Sequence, residues 1–190
     1  AKVIIALEPQ EAGKGYEFVN GVTGGRIPRE YIPAVDQGIK EAMAFGPLAG
    51  YPVEDIKVTL LDGAYHDVDS SELAFKIAAS MGFKEGVLAC QPTLLEPNVN
   101  IEIEIPEEYM GDVIGDLNSR RGRVVGMDTK GHHQIIMGQV PLAEILRYAP
   151  DLRSITSGRG GFTYTFSHYE EVPAPIAEKI IAQSKKEKEE

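Results

Sequence analysis

One histidine stands in a short polar segment whose residue types could do chemistry. His66 is followed by Asp67 and Asp69 within the segment 62–72. A histidine beside carboxylates can act as a general base, and the same groups can ligate a metal ion, although alternating acids also cap helices. An exposed imidazole can instead stack on a base or donate to a phosphate or a 2′-hydroxyl of RNA.

The remaining polar residues supply no second set of catalytic groups. No serine or cysteine stands in a known nucleophile signature, and Gly13-Lys14-Gly15 lacks the spacing of a phosphate-binding loop. We predict His132, His133 and His168 to be exposed residues without a chemical role. A binding role is therefore favoured over catalysis, with no catalytic residue, metal or cofactor expected. A hydrolase that uses His66 as general base stays the remote alternative.

The overall charge restricts how the protein could contact nucleic acid. The 190 residues carry a net charge of −10, which argues against coating nucleic acid through bulk electrostatics. Basic residues nevertheless cluster between positions 120 and 131, where arginine forks could match phosphate oxygens. A solvated helix end is the equal alternative. The basic residues of this cluster are Arg120, Arg121, Arg123 and Lys130.

Composition also indicates the class of protein. The hydrophobic content of 43% supports packed cores, and no apolar run is long enough for a membrane span. The single cysteine, Cys90, excludes internal disulfides, suits a reducing cytoplasm and is predicted to be a buried thiol. Because the sequence begins with a predicted strand and without methionine, we expect it to be a piece of a longer protein.

The elements that must position His66 form a first unit with the order β-β-α-β-α. Strands are predicted at residues 2–8, 16–22 and 54–61, and helices at 33–45 and 70–85.

Local signals predict how the helix after His66 begins. Asp69 is expected as its N-cap with Glu72 at N3, and Val68 and Leu73 as its hydrophobic staple.

A second unit has the order β-α-β-β-α-β of a ferredoxin-like fold. Its strands are predicted at 99–105, 122–127, 134–140 and 162–166, and its helices begin near Pro106 and Pro141. In the second helix, Leu142, Ile145 and Leu146 are expected to face inward. An amphipathic helix at 174–188 follows, with Ile176, Ile180 and Ile181 predicted to be buried.

Several segments together carry a family resemblance. They closely resemble the C-terminal part of bacterial elongation factor G and occur in the family's order along essentially the whole chain. The segments are 27–35, 62–71, 107–122, 151–154, 158–160 and 168–173.

The resemblance implies an α+β fold with two domains. Residues 1–93 would form a ribosomal-protein-S5-like domain IV with an unusual left-handed crossover, and residues 94–172 the ferredoxin-like domain V. Residues 173–190 would form a C-terminal helix and charged tail that packs back on the first domain. The family's domain IV begins with further strands and a second, glycine-rich tip loop, so domain IV is expected to be N-terminally truncated here.

The resemblance also implies a function. The family is a cytoplasmic translational GTPase that drives tRNA–mRNA translocation, and His66, with Gly63 and Asp67, matches a domain IV tip that reaches the decoding region of the small subunit. Expected partners are the ribosome, with 16S and 23S rRNA and the stalk base, and the tRNA–mRNA; no membrane contact is expected, and the chain is expected to be a monomer. The candidate rRNA contacts are Arg120, Arg121, Arg123, Lys130 and Arg159.

GTP and Mg would belong to a GTPase domain that this chain lacks, so the chain itself is expected to need no cofactor and to be no enzyme. A divergent paralogue that acts in ribosome recycling or regulation is the nearer alternative.

Overall fold

The computed structural model describes residues 1–189 and has two compact units. The first comprises Ala1–Pro92 together with the residues from Pro175 onward, and the second comprises Thr93–Ala174. Glu190, the end of the predicted charged tail, lies outside the described residues. Across the described part of the chain, no helix has the length and apolar character that crossing a membrane requires. The predicted α+β class is confirmed.

The first unit has the predicted order of elements. A three-stranded sheet has the order β1-β3-β2, with β1 antiparallel and β2 parallel to the central β3. A 3₁₀ turn at Arg29–Tyr31 leads into the helix that connects β2 to β3. The elements are β1 Lys2–Pro9, β2 Tyr16–Asn20, α1 Ile32–Ala44, β3 Ile56–Ala64 and α2 Glu72–Ala89.

The core of this unit lies between the sheet and the two helices. Alternation along β3 buries Ile56, Val58 and Leu60, as a one-face-buried strand requires. Helix α1 approaches α2 so closely that a Cβ on Gly38 would lie 2.2 Å from the backbone oxygen of Lys76. The glycine is therefore a packing requirement of the helix pair.

The C-terminal helix belongs to the first unit, as predicted. Helix α6, which follows the elements of the second unit, spans Ala174–Glu189. The hydroxyl of Ser184 donates to the backbone oxygen of Ala49 at 3.0 Å, a contact between residues 135 positions apart. Ile176, Ile180 and Ile181 are only half-buried, so the prediction that they are buried is wrong in degree.

The predicted start of α2 is wrong. Its N-cap is Ser71, whose hydroxyl accepts from the backbone N–H of Ala74 at 3.1 Å, and not Asp69. Because the helix begins two residues later than the Asp69 cap requires, Val68 and Leu73 do not meet as a staple, and both are exposed.

The prediction of a buried thiol is also wrong. Helix α2 continues to Ala89, four residues beyond its predicted end, and Cys90 is its exposed C-cap.

The second unit is the expected four-stranded antiparallel sheet with helices on one face. Its strand order is β5-β6-β4-β7, the arrangement of a ferredoxin-like fold. A 3₁₀ turn at Glu107–Tyr109 opens its first helix. The elements are β4 Leu95–Pro106, α3 Met110–Ser119, β5 Arg123–Lys130, β6 His133–Pro141, α4 Leu142–Ile145, α5 Tyr148–Ile155 and β7 Gly161–Glu171.

The second helical connection differs from its prediction. The chain bends after α4 at Leu146 and Arg147, and a further helix, α5, follows that was not predicted. Leu146 lies at this bend and is exposed, so its predicted inward position is wrong. The buried face is completed by Ile145, Tyr148 and Leu152.

A non-glycine residue with positive φ closes α3. Arg121 has φ of 59°, and the next residue, Gly122, donates its N–H to the oxygen of Leu117 at 2.9 Å. Most helices place glycine at such a left-handed position. Here the Arg121 guanidinium bonds Glu96 of β4 at 2.5 Å and Glu144 of α4 at 2.9 Å. These ion pairs offset a backbone cost of about 1–2 kcal/mol.

The helix contact at Gly38 yields a stability prediction. We expect Gly38→Ala to lower the free energy of unfolding by about 2–3 kcal/mol, because the new methyl meets rigid backbone. Gly115→Ala is the matched control: a Cβ there meets nothing within 4 Å, and this substitution in helix α3 should stabilise by about 0.5–1 kcal/mol. Urea unfolding measures both. Equal effects of the two substitutions would contradict the proposed close contact.

The strained end of α3 yields a second prediction. Arg121→Ala should destabilise the protein by about 2 kcal/mol, since Glu96 loses its partner while largely shielded from water. Arg121→Gly loses the same ion pairs but relieves the backbone, so it should be about 1 kcal/mol more stable than the alanine variant. Arg123→Ala, at a more exposed arginine, should change stability by less than about 0.5 kcal/mol. A glycine variant no more stable than the alanine variant would disprove the strain.

Candidate functional site

The tip loop, residues 65–71, connects the end of β3 to α2. It is closed by its own backbone, because the oxygen of His66 accepts from the N–H groups of Asp69 at 3.2 Å and Ser70 at 3.0 Å. The N–H of His66 donates in turn to the Ser70 hydroxyl at 3.0 Å. His66 and Asp67 are exposed, and Val68 is 100% exposed. The loop therefore presents its apex to solvent in a defined conformation.

An aromatic stack supports the base of the tip loop. The ring of Tyr65 stacks on that of Tyr31 with centroids 5.6 Å apart, and Tyr31 stacks on the fully buried Phe75 at 5.2 Å. A hydrogen bond to the Asp67 carboxylate raises the pKa of Tyr65 to about 12. The stack connects the exposed loop to the core of the first unit.

Gly63 lies in β3, before the tip loop that sequence reasoning assigned it to. It pairs with Val3 of β1, and a Cβ at this position would lie 2.4 Å from both Ile27 Cδ1 and the backbone oxygen of Lys2. Gly63 therefore positions the tip by letting Ile27 pack across the strand.

A second loop lies beside the tip and was not recognised as part of the site from the sequence. This glycine loop, residues 21–28, includes Gly24 and Gly25 with φ near +70°. Arg26 follows them, and its Nη1 contacts Asp62 Oδ2 at 2.5 Å. The pKa of the Asp62 carboxyl is lowered, first by the N–H of Gly63 and further by Arg26. In the sequence, the feature that could have indicated this loop is an arginine directly after two adjacent glycines.

The surroundings of His66 do not form a catalytic dyad. Within residues 1–189 the imidazole has no hydrogen-bond partner, and the Asp69 carboxylate accepts from the Ser70 hydroxyl. A general base needs a group that orients it. Nor does any group of three or more possible metal ligands occur in this described range. The tip loop offers an exposed donor and acceptor rather than an activated base.

The predicted basic contacts lie in the second unit, and two of them serve its fold. Arg120 bonds Asp116, Asp151 and the backbone oxygen of Glu144, and its guanidinium lies 4.9 Å from the ring centre of Tyr148. Arg121 makes the ion pairs that close α3. The Arg120 and Arg121 side chains are only 18% and 27% exposed.

The other three basic residues are more accessible. Arg123 bonds Gln139 and is 65% exposed, Lys130 is exposed beside the β5–β6 turn, and Arg159 bonds Glu108 and the Tyr109 hydroxyl. Of the five predicted contacts, these three have the side-chain surface that a partner could reach.

The histidines of the second unit differ in exposure. His132 is exposed, as predicted, whereas His133 and His168 are half-buried, so the prediction that these two are exposed is wrong. His168 lies within β7, which continues to Glu171, and its ring nitrogens contact the Ser167 hydroxyl and the Glu170 carboxylate at 2.8 and 2.7 Å.

Comparison with known proteins agrees with this architecture. The family model for elongation factor G, domain IV, matches residues 1–91, and the model for the elongation factor G C-terminus matches residues 93–180. A crystal structure of a protein from Thermus thermophilus is similar, with 44% sequence identity and a TM-score of 0.84. The match covers 97% of this chain and 27% of that one, so the chain spans about a quarter of the solved protein. The chain belongs to the elongation factor G family, of which it contains the domain IV and C-terminal regions.

Proposed function

We propose that this chain is the ribosome-engaging C-terminal module of an elongation factor G and promotes tRNA–mRNA translocation. The tip loop with His66 would enter the decoding region of the small subunit. The observation that carries the proposal is a closed, core-anchored loop with an exposed imidazole, in a chain that belongs to this family.

The geometry suits a positional role. The stack from Tyr65 to Phe75 limits the motion of the loop, so little conformational entropy remains to be lost when the tip meets its partner. The free imidazole of His66 can stack on a base or donate to a 2′-hydroxyl. The tip would occupy space that the tRNA has left and hinder its return, without any covalent step.

The second unit would contact the large subunit near the stalk base. Arg123, Lys130 and Arg159 are its favoured contacts to 23S rRNA, because their side chains are much more exposed than those of Arg120 and Arg121. GTP hydrolysis, with its Mg, would belong to a separate GTPase domain of the full-length factor. This chain would then need no cofactor and catalyse no reaction itself.

Substitution of His66 tests this function in the full-length factor. His66→Ala should slow translocation about tenfold, because the imidazole contact is absent. This corresponds to an activation free energy that is higher by about 1.4 kcal/mol. Ribosome-stimulated GTP hydrolysis should stay within about twofold. Stopped-flow measurement of mRNA movement and of phosphate release gives the two rates.

His132→Ala is the matched control, since it removes an exposed imidazole from the other unit. It should leave both rates unchanged. A parallel fall in translocation and hydrolysis with His66→Ala, or no fall in either, would contradict the proposed role. If His66→Ala left translocation normal but made ribosome recycling defective, the result would instead indicate a divergent paralogue that acts in recycling. Turnover by this chain alone that disappears with His66→Ala would indicate a hydrolase.

A further inference from the structure

Arg26 lies beside the tip loop but is not explained by the packing of the first unit. Its side chain is 66% exposed, and one nitrogen, Nη1, is held by Asp62. A guanidinium has five N–H donors, so most of its hydrogen-bonding capacity stays directed at solvent. The ion pair orients the group without burying it.

The glycine loop that carries Arg26 is fixed to the same strand as the tip loop. The N–H of Gly21 donates to the oxygen of Leu60 in β3 at 2.8 Å, and Ile27, which is 2% exposed, packs over Gly63. Arg26 stands between these two attachments. Its position relative to the tip loop is therefore set by the fold.

Space around the loop favours contact with a bulky partner. Gly24 and Gly25 have positive φ, and a Cβ on either would meet nothing within 4 Å. The backbone beside Arg26 is thus open to solvent and carries no side chain that would keep a partner away. Two adjacent residues of this kind allow close approach of a polymer backbone.

Arg26 is the basic residue that the two loops themselves carry; Lys2, which pairs with Ala64, and the exposed Arg29 lie in the elements beside them. Among residues 20–28 and 62–72 it is the single arginine or lysine, against four acidic residues. Carboxylates repel RNA phosphates, so the tip loop is suited to bases and 2′-hydroxyls, whereas the guanidinium fork matches phosphate oxygens. The four acidic residues are Asp62, Asp67, Asp69 and Glu72.

We propose that Arg26 is an RNA-phosphate contact of the same tip, held ready by Asp62 and displayed on the glycine loop. This inference rests on the proposed function, because it assumes that the tip meets RNA. The two loops then divide the recognition: His66 contacts the uncharged surface of the RNA, and Arg26 contacts its backbone.

Salt dependence distinguishes a phosphate contact from a structural brace. Each phosphate contact contributes about 0.7–0.9 to the slope of log Kd against log salt concentration. In the full-length factor, Arg26→Ala should weaken binding to ribosomes, with a non-hydrolysable GTP analogue, about fivefold. It should also reduce the salt slope by about 0.7–0.9. An unchanged slope would overturn the inference.

Three variants serve as controls. His66→Ala should weaken binding without changing the slope, and Lys14→Ala removes a cation at the opposite end of β3 and should change neither quantity. Asp62→Asn keeps an acceptor for the Gly63 N–H but removes the charge that pairs with Arg26. It should leave the slope unchanged if Arg26 binds phosphate, and reproduce the loss of Arg26→Ala if Arg26 is only a brace.

The two proposals fail separately. One outcome is that His66→Ala slows translocation while Arg26→Ala leaves the salt slope unchanged. This pair of results would overturn the phosphate contact but not the proposed function. Wild-type translocation and binding with both substitutions would overturn both. Thermal unfolding of each variant of this chain should match the parent, which separates a lost contact from a misfolded tip.

Discussion

The tip depends on the central position of β3. This strand is hydrogen-bonded to β1 as far as Ala64, its last residue, and to β2 along its first half. The end of a strand held in this way cannot shift without breaking ladder hydrogen bonds, which leaves the tip loop only its own few dihedral angles. The Tyr65–Tyr31–Phe75 stack then restrains the residue at which the loop begins. The tip loop is thus held rigid by the central strand of the sheet, β3.

The sequence predicted the arrangement of elements better than their ends. Periodicity located all seven strands and both long helices of the first unit, because burial of one face imposes it directly. The start of α2 was misplaced because Asp69 and Ser71 are both good caps. Only the turn closed by His66 decides between them. Helix α5 was missed because it is only eight residues long and carries a proline in its first turn, although Tyr148, Leu152 and Ile155 recur at helical spacing.

Function was harder to assign residue by residue than fold. His66 could be identified from its polar, unpacked surroundings, since isolation of this kind leaves a signal in the sequence. The roles of Arg120 and Arg121 could not, because their partners Asp151, Glu96 and Glu144 come from distant parts of the chain. A sequence shows that basic residues cluster, but it does not show which carboxylates pair with them in the folded protein. Arg26 is the converse case, where one isolated arginine is left with free donors.

The return of α6 to the first unit makes that unit discontinuous along the chain. Ser184 reaches back across 135 positions to Ala49, and the whole second unit is encoded between them. During synthesis the segments of the sheet of the first unit are made early, but its last helix is made only after the whole ferredoxin-like unit. The second unit, whose contacts all lie within one continuous segment, can finish folding first. The unit that carries the tip therefore cannot be completed until the whole second unit has been synthesised.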